Sequence, residues 1–389
     1  MRFATFVNVR IGNELFDLSV DSEKGTILSI SPSLAEGREE AAGVYDANGL
    51  LYLSTLFDHH THLDKHFLGE PWKPLQPFVT LPGQLAFEKK MLSELPTTAA
   101  ERARRLLDLM LSQGTTRIRT HIDVDPQLGL RHLEDALRIR EEYADRMEIE
   151  IVAFPQQGLL RSGSIPIMKE AMRAGADLVG GVDPAGLDRR PERVLEATFE
   201  LAAEFDAGVD LHLHDPGHLG LFTISLFAEF TRQAAKQGRT AVSHAYCLGQ
   251  ASEGEALDTA HQLKEQGVAI LTSVPIDRPM PRVGQLLAAG VAVGVGTDNI
   301  RDSWSPFGDG DMLARGSRLA ERMGWITEEE LAKTYPLIAT GALEPSVGDP
   351  ATFLLADAQN PLHALAAAAP REAVFVRGRL VGGRLAGSI

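Results

Sequence analysis

Residues 51–62 read LYLSTLFDHHTH, an apolar, β-rich run that ends in His60-Thr61-His62. Successive side chains of a strand alternate between faces, so His60 and His62 share one face while His59 and Thr61 take the other. Two imidazoles then converge at a strand end. Seven further segments have the same character: TRIRTHIDV (116–124), IEIVAFPQ (149–156), DLVGGVDPA (177–185), GVDLHLH (208–214), TAVSHAY (240–246), GVAILTSVP (267–275) and VAVGVGTDN (291–299). Stretches 99–113, 127–146, 191–206, 219–238 and 253–266 carry helical patterns and fill the intervals. Short apolar strands alternating with helices are the signature of βα units around a parallel sheet. Eight of them between residues 51 and 345 predict an α/β fold, a (β/α)8 TIM-type barrel, in preference to an open doubly wound sheet.

The strand ends support that choice. Nearly every candidate strand finishes on a polar or ionisable residue: His60 and His62, His121 and Asp123, Gln156, Asp183, His212 and His214, His244, and Asp298. A barrel gathers the carboxyl ends of its strands on one face, where active sites are built. No G-x-G-x-x-G follows the first strand and no phosphate-binding loop occurs, which leaves a nucleotide cofactor without support. Outside the barrel, runs such as FATFVNVRI (3–11), GTILSISP (25–32), DPATFLLAD (349–357) and AVFVRGRLV (373–381) read as strands broken by Gly, Asn and Pro. They predict a small β-sandwich domain composed of residues 1–50 plus 346–389, flanking a barrel of residues 51–345.

Composition narrows the partners. With 38 Lys and Arg against 53 Asp and Glu, the chain carries a formal charge of −15, which argues against a nucleic-acid backbone as partner. Cys247 is the only cysteine, so a thiolate-rich metal site and an intrachain disulfide are excluded and a reducing compartment fits. No run approaches the roughly 20 apolar residues of a membrane span, and the N-terminal segment alternates like strands, so a cytoplasmic protein without membrane contact is expected. Homo-oligomerisation stays open.

A catalytic N/O metal site needs three or four ligands and an open position for water. His212 and Asp298 end the fifth and eighth strands, and with His60 and His62 they form a three-His, one-Asp set. Asp298 also suits capping of the next turn, and His212 also suits a core position. Four such residues at compatible strand ends are poorly explained by coincidence. A bound ion lowers the pKa of a water ligand to about 7 in favourable cases, and Asp298 would stand beside that water to accept its proton. His244, in SHAYC, is placed to hydrogen-bond the nucleophile or polarise the attacked carbon's substituent; ligation of a second ion or a structural role are its alternatives.

The segments HTHLDK (60–65), RTHIDVD (119–125), AFPQQG (153–158), LVGGVDPA (178–185), DLHLHD (210–215), SHAYC (243–247) and TDNIRDSWSPFGDGDM (297–312) resemble the amidohydrolase superfamily, in its cytosine-deaminase-like branch. The resemblance covers most of the barrel. It implies an aminohydrolase or deaminase that removes an amino or alkylamino group from a small nitrogen heterocycle such as an s-triazine or pyrimidine. It also implies one divalent metal ion, zinc ahead of iron, on His60, His62, His212 and Asp298. Cytosine deamination and cyclic-amide hydrolysis are the neighbouring alternatives, and a non-catalytic metal-binding barrel is the alternative of another class. Two departures bear on mechanism. The lysine that bridges two metals in many relatives is missing from GGVDPAG, which favours one ion; and His212-Leu213-His214-Asp215 lacks the glutamate that shuttles protons in cytosine deaminase. His214, two residues beyond His212 and facing the same lumen, takes the acid/base role here, with plain substrate binding as its alternative. Lys65 is a candidate donor or acid over the pocket, or else a surface lysine. Gln156, Asp183, Asn299 and Trp304 are candidates to bind a flat polar ring. Asp309 and Asp311 read as turn and helix-cap residues.

Overall fold

The computed structural model describes residues 3–21, 23–33 and 42–388; of the chain-end segment 1–50, residues 1, 2, 22 and 34–41 lie outside the described residues. The chain ends contribute β1 (Thr5–Ile11), β2 (Glu14–Val20), β3 (Ile27–Pro32), β4 (Val44–Asp46) and β5 (Leu51–Ser54), and later β14 (Phe353–Ala356), β15 (Arg371–Val376) and β16 (Arg379–Gly382). These join in one sheet of order β16-β15-β14-β5-β1-β2-β3, with β4 on β1. Its core is aromatic, built on Phe6, Phe353, Phe375 and Tyr52.

The middle of the chain supplies β6 (Leu56–Thr61), β7 (Thr115–Asp123), β8 (Glu148–Phe154), β9 (Leu178–Val182), β10 (Gly208–Leu213), β11 (Thr240–His244), β12 (Val268–Thr272) and β13 (Val293–Val295). They pair in parallel in sequence order. The first and last strands meet where Thr61 bridges Asp298 and the Asp298 N–H donates to the His60 carbonyl at 2.7 Å. This is the (β/α)8 barrel. A Cβ at Gly296 would stand 2.6 Å from the His60 backbone, so only glycine lets the eighth strand's end close against the first. Helices Ala99–Ser112, Arg131–Tyr143, Pro191–Glu204, Gly217–Gln233 and Glu253–Glu265 occupy the predicted intervals. Their apolar faces meet the outer sides of the strands in the main core, through residues such as Leu106, Ile139, Phe227 and Leu263.

The decisive stretch itself needs one correction. LYLSTLFDHHTH is not a single barrel strand: Leu51–Ser54 pairs with β14 in the small sheet, and only Leu56–Thr61 enters the barrel. Leu51 to Leu56 are all buried, so no change of period marks the crossing. Thr55 occupies the break, its hydroxyl bonded to Thr116 and Thr340.

Candidate metal centre and its cavity

The carboxyl ends of the strands bring His60, His62, His121, His212, His244 and Asp298 together. Donor atoms of His60, His62, His121 and His212 lie within 4.8 Å of one another, as do those of His60, His244 and Asp298. His60 Nε2 stands 3.6 Å and His62 Nε2 3.4 Å from Asp298 Oδ1, and His244 Nδ1 is 4.0 Å from Asp298 Oδ2.

Hydrogen bonds behind the ligands set their tautomers. The Ser243 hydroxyl donates to the Asp210 carboxylate at 2.7 Å, so it accepts from His60 Nδ1 at 2.9 Å and leaves the Nε2 lone pair facing inward. His62 Nδ1 donates to the His121 carbonyl at 3.1 Å, with the same result. His60 Nε2, both ring nitrogens of His212 and His244 Nδ1 are buried without hydrogen-bond partners. An orphaned buried polar atom costs about 1–3 kcal/mol, so a concentration of them calls for a ligand. Burial, reinforced by neighbouring histidines, holds His212 well below the usual imidazole range. Burial also depresses His244, against the pull of Asp298. For Asp298, burial is outweighed by His244, His60 and His62, which hold the carboxyl well below its ordinary value. Neutral imidazoles around an ionised carboxylate are the donor set a borderline divalent cation takes.

Backbone conformation points to the same place. Asp183, His244 and Asp298 all have positive φ, at 36°, 71° and 58°. Non-glycine residues adopt this region at a cost and persist there where the surroundings over-determine them, commonly at functional sites.

Above the centre lies a cavity of about 90 Å³ whose lining includes His62, Lys65, Gln156, His212, His214, His244, Asp298, Asn299 and Trp304. Most of the predicted residues therefore meet in one place. His214 Nδ1 donates to Asp183 Oδ2 at 2.8 Å, which turns its other nitrogen away from Asp183. Burial lowers the His214 pKa, but Asp183 outweighs it and the net shift is upward. Gln156 Oε1 is buried and unpartnered. Asn299 Nδ2 donates to Asp302, and the Trp304 indole N–H donates to Glu88 at 2.5 Å, so Trp304 offers the cavity a ring face.

Two expectations change. Asp183 does not line the cavity; it is buried beneath His214, one oxygen on its ring and the other accepting its backbone N–H at 2.6 Å. The Asp183 N–H donates to the His212 carbonyl at 3.0 Å, which holds the residue against the end of β10. Lys65 is not a surface residue; it lines the cavity. It is buried, 2.7 Å from Asp123 and 3.9 Å from Glu88, and although burial lowers its pKa, those carboxylates raise it further, so it stays charged. Asp311 does cap helix Met312–Met323, accepting from the Leu313 and Ala314 N–H groups.

Sequence reasoning missed Tyr246, Arg278 and Phe154 in the lining, and Glu88 behind it. Phe154 stacks on His212 with centroids 4.0 Å apart. Tyr246 lies two residues beyond His244, a spacing that signals it; Arg278 sits in an exposed loop after β12 with no local pattern to mark it.

A parallel barrel with a histidine-rich, metal-capable centre at its strand ends defines a class of barrel enzymes. Comparison with known proteins gives the family: residues 43–342 match the Amidohydrolase family, and the chain belongs to it. It is 38% identical over 356 residues to YahJ, an uncharacterized protein of Escherichia coli (strain K12), covering 88% of this chain and 77% of that protein. It is 33% identical over 354 residues to N-isopropylammelide isopropyl amidohydrolase of Pseudomonas sp. (strain ADP), covering 86% and 87%. The crystal structure of N-isopropylammelide isopropylaminohydrolase from Burkholderia multivorans ATCC 17616 superposes with a TM-score of 0.90 at 33% identity, covering 98% of this chain and 99% of that one.

Proposed function

We propose that this protein hydrolyses an exocyclic C–N bond of a small nitrogen heterocycle, releasing ammonia or an alkylamine. The observation that carries the reading is the convergence of neutral, orphaned imidazoles and an ionised Asp298 beneath a cavity that His214 and His244 also face. His60, His62, His212 and Asp298 would hold one divalent ion, zinc ahead of iron because imidazole and carboxylate suit it. That ion supplies Lewis acidity and a water activated near neutral pH.

The chain's own residues supply the rest. A cavity of about 90 Å³ suits one small ring, well below the roughly 300–1,000 Å³ of sites for larger ligands. Gln156 and Asn299 offer amide groups to the ring's polar edge, Trp304 offers a stacking face and Lys65 a fixed positive donor. His214, held by Asp183, presents its second nitrogen to the cavity and protonates the departing amine. His244 stacks on His214 with centroids 4.6 Å apart and donates toward the developing charge on the ring. The similarity to isopropylammelide hydrolases favours an aminated or alkylaminated triazine over cytosine, as does the absence of a glutamate after His212. Among the described residues no helix is long and apolar enough to cross a membrane. A cytoplasmic setting agrees with the single free thiol, buried Cys247.

The test compares native, metal-stripped and zinc-reloaded protein on amino- and alkylamino-triazines, cytosine and pterins, with metal content measured in parallel. Release of amine only by metal-containing protein is expected, and His62→Ala should lose the ion together with roughly 10³-fold or more in rate. Ring opening without amine release, or equal rates with and without metal, would sink the reading.

A further inference from the structure

The cavity is roofed in part by helix Leu81–Ser93, whose Leu81 and Leu85 reach the lining. Glu88, on the same helix, is 1% exposed and is no candidate from sequence, because it follows none of the strand ends. Its Oε2 accepts from the Trp304 indole N–H at 2.5 Å and from the Ser303 hydroxyl at 3.1 Å. Its Oε1 is 3.9 Å from Lys65 Nζ. One turn earlier, Gln84 Nε2 donates to the Ser303 carbonyl at 2.7 Å. A single carboxylate thus bonds a residue that faces the ring site, from an element that contributes no ligand to the metal centre.

Packing does not require a charge at this position. The buried face of the helix combines apolar Leu85 and Met91 with polar Gln84 and Glu88, so apolar side chains pack on it as well as charged ones. Lys65 has a closer counter-ion in Asp123 at 2.7 Å, and the Phe154 ring lies 5.0 Å from its ammonium. A second buried carboxylate is therefore costly unless its orientation has a use. The use visible here is geometric: the indole plane of Trp304 has its own tip tied down by the Glu88 carboxylate.

We propose that Glu88 is a positioning residue for ring recognition, fixing Trp304 as the cavity wall. The inference rests on Trp304 contacting substrate, the reading given above. It also makes the 81–93 helix part of the specificity apparatus, since a ring too large to stack under Trp304 meets an anchored wall instead of a mobile one.

The experiment uses full-length, metal-loaded protein carrying Trp72→Phe and Trp325→Phe, so that Trp304 is the only indole of the chain's 3. Iodide quenching of its fluorescence and steady-state kinetics on an amino-triazine are measured for Glu88→Ala and Glu88→Gln. Glu88→Ala is expected to raise iodide quenching and to raise KM about tenfold while kcat changes less than about threefold, with metal content unchanged. Glu88→Gln, whose amide oxygen still accepts from the indole, should recover most of that loss. In a Trp304→Phe background, Glu88→Ala should add less than about twofold to KM, because the shared bond is already gone. Wild-type quenching and KM in Glu88→Ala, or a full tenfold effect persisting without Trp304, would overturn the proposal. If Glu88→Ala does not fold, Glu88→Met, which keeps the side-chain volume and removes the acceptor, takes its place with the same expected rise in quenching and in KM. If wild-type protein turns over no heterocycle, the functional reading fails, and the quenching comparison alone decides whether Glu88 fixes Trp304.

Discussion

In the chain-end sheet, Phe6, Phe353 and Phe375 pack with ring centroids 5.0, 4.8 and 5.2 Å apart. At the mouth of the barrel, His60, His121 and His212 pack at 4.1, 4.6 and 4.5 Å. Both trios are close-packed and buried to 3% exposure or less, so burial does not distinguish them. The nitrogens do. A phenyl ring buried among phenyl rings leaves nothing unsatisfied, and its burial stabilises the fold. Here His60 Nε2 and both ring nitrogens of His121 and His212 are buried without hydrogen-bond partners, and that burial costs free energy until a cation arrives. Close packing of buried rings marks a core in one region and a binding centre in the other.

Three experiments probe that contrast, in order of expected effect. Phe375→Ala should cost about 3–5 kcal/mol of stability, read from denaturant unfolding, while metal stoichiometry of the folded protein stays as in wild type. Loss of metal without loss of stability would break the distinction between the two regions. Ser243→Ala removes the link between Asp210 and His60 Nδ1 behind the centre. It should weaken metal affinity about 10–100-fold, measured by chelator competition, and lower the apoprotein's stability by about 1–3 kcal/mol through the buried partners it orphans. The smallest effect concerns a buried pair beside the site, His132 Nδ1 and Asp64 Oδ2 at 3.0 Å. Burial opposes both charges, but the pair raises His132 above its ordinary 6.5 and lowers Asp64 below its ordinary 3.8. The His132 contribution is full below 6.5 and fades as pH rises through its folded value; the Asp64 contribution fades as pH falls through its own. His132→Gln should therefore cost about 1–2 kcal/mol near pH 5.5 and less near pH 9, measured by urea unfolding at each pH. A pH-independent loss would show that the pair acts through packing alone.

The barrel was legible because its signals are local. Each strand is a short apolar run closed by a polar residue, and each helix has its own period, as in 191–204 and 253–265. The boundary inside LYLSTLFDHHTH was not, since a strand buried in the small sheet and a strand buried in the barrel have the same composition. At the site, His60, His62, His212, His214, His244 and Asp298 were visible as strand ends. Glu88, Arg278 and the true station of Asp183 were not, because each depends on which loops fold over the barrel mouth.

By itself, the amino-acid sequence determined the eight βα units, the exclusion of a thiolate-rich metal site and the identity of the residues delivered to one end of the barrel. Alternation along a strand and periodicity along a helix are properties of a chain a few residues long, so they can be read without the rest of the molecule. The tertiary structure alone decided which nitrogens were left without partners, which tautomer His60 adopts through Ser243, and that Lys65 is buried against Asp123. Those outcomes are set by contacts between residues as far apart as 60 and 243, where only packing determines the distance and the electrostatics follow from it.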